Sequence, residues 1–98
     1  MVLRFIEDLK CKYKNELEDL FTNGYCYWFS VILSKRFDGV IYYLPIENHF
    51  ITKINNRYYD ITGEVDITGL VLYSWDNYKS FEPLDSERVK KYCIDKLD

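Results

Sequence analysis

His49-Phe50-Ile51-Thr52-Lys53-Ile54-Asn55-Asn56-Arg57-Tyr58-Tyr59-Asp60-Ile61-Thr62 decides the fold. Two β-branched and aromatic runs flank an Asn-Asn pair, and asparagine tolerates the positive φ that a two-residue hairpin turn demands. The stretch therefore reads as two antiparallel strands, 49–54 and 57–62. A two-residue turn pairs 54 with 57, 53 with 58, 51 with 60 and 49 with 62. His49 and Asp60 then share a face as diagonal neighbours, with Cα atoms roughly 7–8 Å apart.

Upstream, Val40-Ile41-Tyr42-Tyr43 is a short strand that stops before Pro45, which has no N–H to donate to a ladder. Asp38-Gly39 makes a turn before it. Residues Tyr25 to Phe37 are apolar on nearly every side until the basic pair Lys35 and Arg36, which suits a helix C-terminus, so this is the expected buried central helix. From Val2 to Leu20 the apolar positions Phe5, Ile6, Leu9, Tyr13, Leu17 and Leu20 recur at three- and four-residue steps, the pattern of a helix packed on one side. Gly24 and Asn23 separate the two helices.

Downstream, residues 63–69 look irregular, and Asp-Ile-Thr-Gly occurs at 60–63 and again at 66–69, too short to be a structural repeat. Leu70 to Ser74 is a further short strand, Pro83 sits in a connection, and Asp85-Ser86 caps a last helix from about Glu87 to Lys96 with Val89, Tyr92 and Cys93 inward. The expected class is α+β, with helices packed on a small antiparallel sheet in one domain spanning 1–98.

Composition narrows the function. Of 98 residues 48% are hydrophobic, enough for one core. Ten tyrosines give a surface suited to macromolecular contacts. A net charge of -3 with no long basic run argues against nucleic-acid binding. No signal-like or membrane-spanning apolar run occurs, so a cytoplasmic protein without membrane association is expected. Three cysteines without Cys-x-x-Cys spacing and a single histidine argue against a disulfide framework, a structural zinc site or any metal or other cofactor. Cys11 and Cys93 are expected to be buried on the inner faces of their helices. Glu64, Asp66 and Asp76 fit no calcium loop and read as solvated charge.

The concentrated chemistry is Cys26 with His49 and Asp60. Cys26 falls in the first turn of the central helix, where unpaired N–H groups and the positive end of the dipole favour a thiolate. The same N–H groups suit an oxyanion. A carboxylate at Asp60 would fix the tautomer of His49 and hold its ring toward the thiol, the arrangement of nucleophile, base and orienter. The ordinary structural reading stands beside it: a small buried cysteine, a histidine capping a network, and an aspartate bracing the turn at Ile61-Thr62-Gly63.

Gly24-Tyr25-Cys26-Tyr27-Trp28-Phe29-Ser30 resembles the Gly-x-Cys-Trp-x-Phe-Ser stretch around the papain-type nucleophile. The His49 strand followed by Tyr58-Tyr59-Asp60 is similar to the transglutaminase-like and NlpC/P60-like branches of that superfamily, the likeness spanning about 21–63. The chain also resembles short proteins of Firmicutes and their phages that carry the Tyr-Cys, His-Phe and Tyr-Asp-Ile-Thr-Gly blocks. The resemblance implies Cys26 as nucleophile, His49 as base and Asp60 as orienter. Leu20 occupies the offset where papain-type enzymes place an oxyanion-hole glutamine, and Asn23 is the substitute donor. Two functions follow as expectations: a thiol hydrolase or acyl transferase on a protein or peptide substrate, or a non-catalytic protein-binding inhibitor of the phage anti-defence type that retains the fold.

Overall fold

The computed structural model describes residues 1–13 and 26–91. In chain order these form α1 (Val2–Tyr13), α2 (Cys26–Phe37), β1 (Val40–Leu44), β2 (His49–Ile54), β3 (Arg57–Asp60), β4 (Gly63–Glu64), β5 (Tyr73–Ser74), α3 (Trp75–Phe81) and α4 (Pro83–Val89). The five strands make one antiparallel sheet in the order β4-β3-β2-β1-β5, which gives an α+β fold with helices packed on an antiparallel sheet.

The hairpin at the centre has the register that its turn dictates. Asn55 and Asn56 take φ of 51° and 66°, and Thr52, Lys53 and Ile54 pair with Tyr59, Tyr58 and Arg57. Strand β3 ends at Asp60, two residues earlier than the sequence pattern indicates. The Asp60 carboxylate accepts from the Thr62 N–H at 2.8 Å, so the chain turns over Ile61-Thr62 and returns as β4, with Asp60 opposite Gly63. On the other side β1 pairs with β2 from Val40↔Lys53 to Leu44↔His49.

Pleating sends alternate residues to opposite faces. Phe50, Thr52 and Ile54 of β2, with Tyr43 and Tyr59, lie under α2, whose Phe29, Ser30 and Leu33 are buried against them. The Thr52 hydroxyl donates to the Ser30 carbonyl at 3.2 Å, which satisfies two groups at the centre of this layer. Helix α2 ends where Asp38 turns left-handed with φ 56° and Ser34 binds the Gly39 carbonyl at 2.8 Å. Gly39 is needed for room. A Cβ there would meet Thr52 Cγ2 at 2.7 Å, Ile54 Cγ1 at 2.8 Å and the Lys53 carbonyl at 2.9 Å.

Helix α1 buries Val2 and Ile6 against β4 and the α2 layer. The expected continuation of this helix to Leu20 falls outside the described residues. Cys11, expected on the inner face, is exposed. It lies off the stripe set by Val2, Ile6 and Leu9, because five residues from Ile6 is about 140° around the helix. Cys93 and Tyr92 lie outside the described residues.

The C-terminal third departs most from the pattern. Instead of a connection around Pro83 and one helix beginning near Glu87, two short helices stand side by side. Ser74 caps α3 by accepting from Asn77 N–H at 3.3 Å, and Pro83 opens α4, where its missing N–H costs nothing. Trp75, Tyr78 and Val89 bury against Tyr43 and Phe50, so tertiary packing makes these helices. Strands β4 and β5 lie at opposite edges, so the eight residues between them must cross the sheet, a span of roughly 19 Å for four strand spacings. Val65 and Ile67 line a concavity with Tyr58, which puts this crossing on the face that α2 leaves free. Among the described residues no helix is long and apolar enough to cross a membrane.

Candidate active site

His49 is the first residue of β2 and Asp60 the last of β3, so antiparallel pairing brings both to one end of the sheet. Their side chains meet, His49 Nε2 to Asp60 Oδ2 at 2.9 Å. The second carboxylate oxygen, Oδ1, takes the N–H and hydroxyl of Thr62. One aspartate thus braces the turn and orients the imidazole at once, an oxygen for each. The expected bracing of the turn at Ile61-Thr62-Gly63 is thus made by Thr62, whose Asp-x-Thr spacing signals it.

Cys26 is the first residue of α2, and no acidic residue occupies the helix's first turn to oppose a negative sulfur there. His49 and the Phe50 and Tyr27 backbone groups neighbour the thiol closely enough to favour its anion. With Nε2 engaged by Asp60, the ring nitrogen left for sulfur is Nδ1. The Phe50 amide is invisible to sequence reasoning, since only the docking of α2 on β2 brings it to the sulfur.

The electrostatics follow from these contacts. Burial alone would push the Cys26 thiol up, but the His49 hydrogen bond, the Phe50 amide and the His49 charge together bring it below its ordinary 9.0. Burial likewise opposes a charged imidazole, yet hydrogen bonding of the ring to Asp60 and Cys26 as acceptors, with the charges of both, raises His49 from 6.5 to about 9. For Asp60, burial is outweighed by the His49 hydrogen bond and the two Thr62 donors, which hold its carboxyl below 3.8. All three shifts favour one charge state, thiolate, imidazolium and carboxylate.

Access is narrow. Cys26 is 5% exposed, while the His49 and Asp60 side chains retain 23% and 14%. A concavity of about 260 Å³ lined by Tyr27, Ile41 and Trp75 does not include the three residues. Asn23, the expected oxyanion donor, lies outside the described residues. Among the described residues no group of three or more His, Cys, Asp or Glu side chains is placed to hold a metal ion.

Helices on an antiparallel sheet, with Cys26 at a helix start and the His49–Asp60 pair at the sheet's end, make this a small α+β protein. The chain belongs to the Phage YunG-like protein family, whose model matches residues 2–94, and so to a phage-associated family. No curated protein and no solved structure matches it.

Proposed function

We propose that this chain is a minimal papain-like thiol hydrolase or acyl transferase, a single domain over residues 1–98. It acts in the cytoplasm on an amide, isopeptide or glutamine side chain of a protein or peptide. The observation that carries the reading is the His49 Nε2 to Asp60 Oδ2 bond of 2.9 Å with Cys26 against the same ring. The sulfur attacks the carbonyl carbon, and the oxyanion that forms is met by N–H groups at the start of α2. Collapse breaks the C–N bond, and the imidazolium passes its proton to the departing amine, leaving a thioester on Cys26 and a neutral His49. His49 then takes a proton from water, or from an acceptor amine, as this nucleophile attacks the thioester. The acyl product leaves and the thiolate–imidazolium pair is restored.

A second reading has its own support: the 5% exposure of Cys26 and the phage-associated family favour a non-catalytic protein that binds a partner through its tyrosine-rich surface. Incubation with an activated ester such as p-nitrophenyl acetate separates the two. Intact-mass measurement should detect an acyl adduct on Cys26 that turns over, absent from Cys26→Ser and slowed in His49→Ala. Wild type and Cys26→Ser behaving alike would rule the enzyme reading out.

A further inference from the structure

Tyr43 has no exposed surface and is fixed by the rings of Phe50, Trp75 and Tyr78, with centroids at 4.9, 5.5 and 4.9 Å. A buried phenol must find polar partners. Its hydroxyl donates to Asn48 Oδ1 at 2.6 Å and accepts from an Arg88 terminal nitrogen at 3.4 Å. Arg88 is itself held by Nε to Asp85 Oδ1 at 2.7 Å, and the other oxygen of Asp85 accepts from the Tyr78 hydroxyl. A polar chain therefore runs from α3 and α4, through the middle of the aromatic cluster, to Asn48.

Asn48 is where that chain acquires meaning. It closes the β1–β2 turn with φ of 53°, a left-handed backbone that asparagine tolerates, and the next residue is His49. Ile46, in the middle of the same turn, is 75% exposed, so the turn extends into solvent between its two ends. The backbone angles at Asn48 set the direction in which the His49 side chain leaves the sheet. Whatever anchors the Asn48 side chain thereby aims the imidazole.

We propose that Tyr43, braced by Arg88 and Asp85, is a positioning residue that aims His49 at Cys26 through its bond to Asn48. The role rests on the thiol-enzyme reading of the site, and it gives the two C-terminal helices a task in it. Asp60 fixes the imidazole from one side, and the Tyr43–Asn48 bond fixes the strand end that carries it. Such supporting contacts hold reacting groups within the narrow tolerances that catalysis requires.

The test uses the full chain and iodoacetamide, with the rate at the Cys26 peptide followed by mass spectrometry across pH. Asn48→Gly keeps the left-handed backbone and deletes the side-chain bond, and Tyr43→Phe deletes only the hydroxyl. Far-UV circular dichroism and thermal unfolding check that each variant folds. Asn48 is exposed, so its variant carries the test by itself should Tyr43→Phe fail to fold. Both variants should lose about tenfold in Cys26 labelling at mildly acidic pH, with the acid limb of the profile moved toward that of an ordinary thiol. A purely structural role would lower the unfolding temperature and leave the limb in place. Limbs superimposed on wild type overturn the positioning role while leaving the thiolate reading standing. A wild-type limb already in the ordinary thiol range overturns that reading, and the positioning role with it.

Discussion

Replacing Asp60 by asparagine keeps the shape of the side chain and removes its charge. The amide oxygen of the replacement can still accept from Thr62, so the turn over Ile61-Thr62 should survive and the fold with it. The consequence falls on His49. Its rise from 6.5 to about 9 amounts to roughly 3 kcal/mol in favour of the imidazolium. That net figure already includes burial, which works against the charge, so the favourable part is larger. Asp60 and Cys26 each contribute one hydrogen bond and one charge interaction, and the Asp60 hydrogen bond is the largest of the four. Losing Asp60 thus removes the largest favourable contribution, so the His49 midpoint should fall clearly below 9, a change on the order of a kcal/mol. The assay is simple because the chain has a single histidine, so one imidazole resonance in a proton–carbon NMR titration reports it. The alkaline limit of the ion pair should move down by the same amount in any pH–rate profile. An Asp60→Asn midpoint equal to wild type would refute the claim that this carboxylate sustains the imidazolium.

Three further outcomes are expected. Gly39→Ala should destabilise the fold by about 1–3 kcal/mol in urea unfolding, because its Cβ would fall within 3.0 Å of Thr52, Ile54 and the Lys53 carbonyl; an unchanged midpoint would contradict the close approach of the α2–β1 connection to β2. Leu33→Ala, at a position with no exposure between α2 and the sheet, should cost about 2–5 kcal/mol, whereas a loss under about half a kcal/mol would mean that α2 does not cover this face. The folded-state carboxyl of Asp60 lies below its unfolded 3.8, so its contribution to stability is present above pH 3.8 and is lost as pH falls through the lowered value. Acid unfolding of Asp60→Asn should lack that component, and identical acid limbs in the two proteins would count against it.

The hairpin was the most legible part of the chain, because Asn55-Asn56 specifies a turn length and turn length specifies register. From register alone His49 and Asp60 fall on one side of the sheet, and their side chains do meet. The central helix was legible from its length and apolar run. The C-terminal helices were not. Trp75-Asp76-Asn77-Tyr78 has weak helix formers between two aromatics, and the helix exists because Trp75 and Tyr78 are drawn into the cluster around Tyr43. Pro83 read as a connection because a proline that opens a helix and one that interrupts a loop look alike locally. Cys11 is exposed because it lies off the stripe that Val2, Ile6 and Leu9 define. The approach of the Phe50 amide and His49 ring to Cys26 depends on how α2 docks across β2, and no local pattern encodes that distance.

Everything proposed for the site requires the Cys26 sulfur to be an anion paired with the His49 imidazolium around neutral pH. The far-ultraviolet difference spectrum between wild type and Cys26→Ser, followed across pH, reads the thiolate directly and needs neither a substrate nor an open path to the sulfur. A thiolate band present below pH 9, together with a His49 midpoint near 9, is the result expected. A band that emerges only at the ordinary thiol value of 9.0, with His49 titrating at 6.5, would reduce the three residues to a hydrogen-bonded corner of the core.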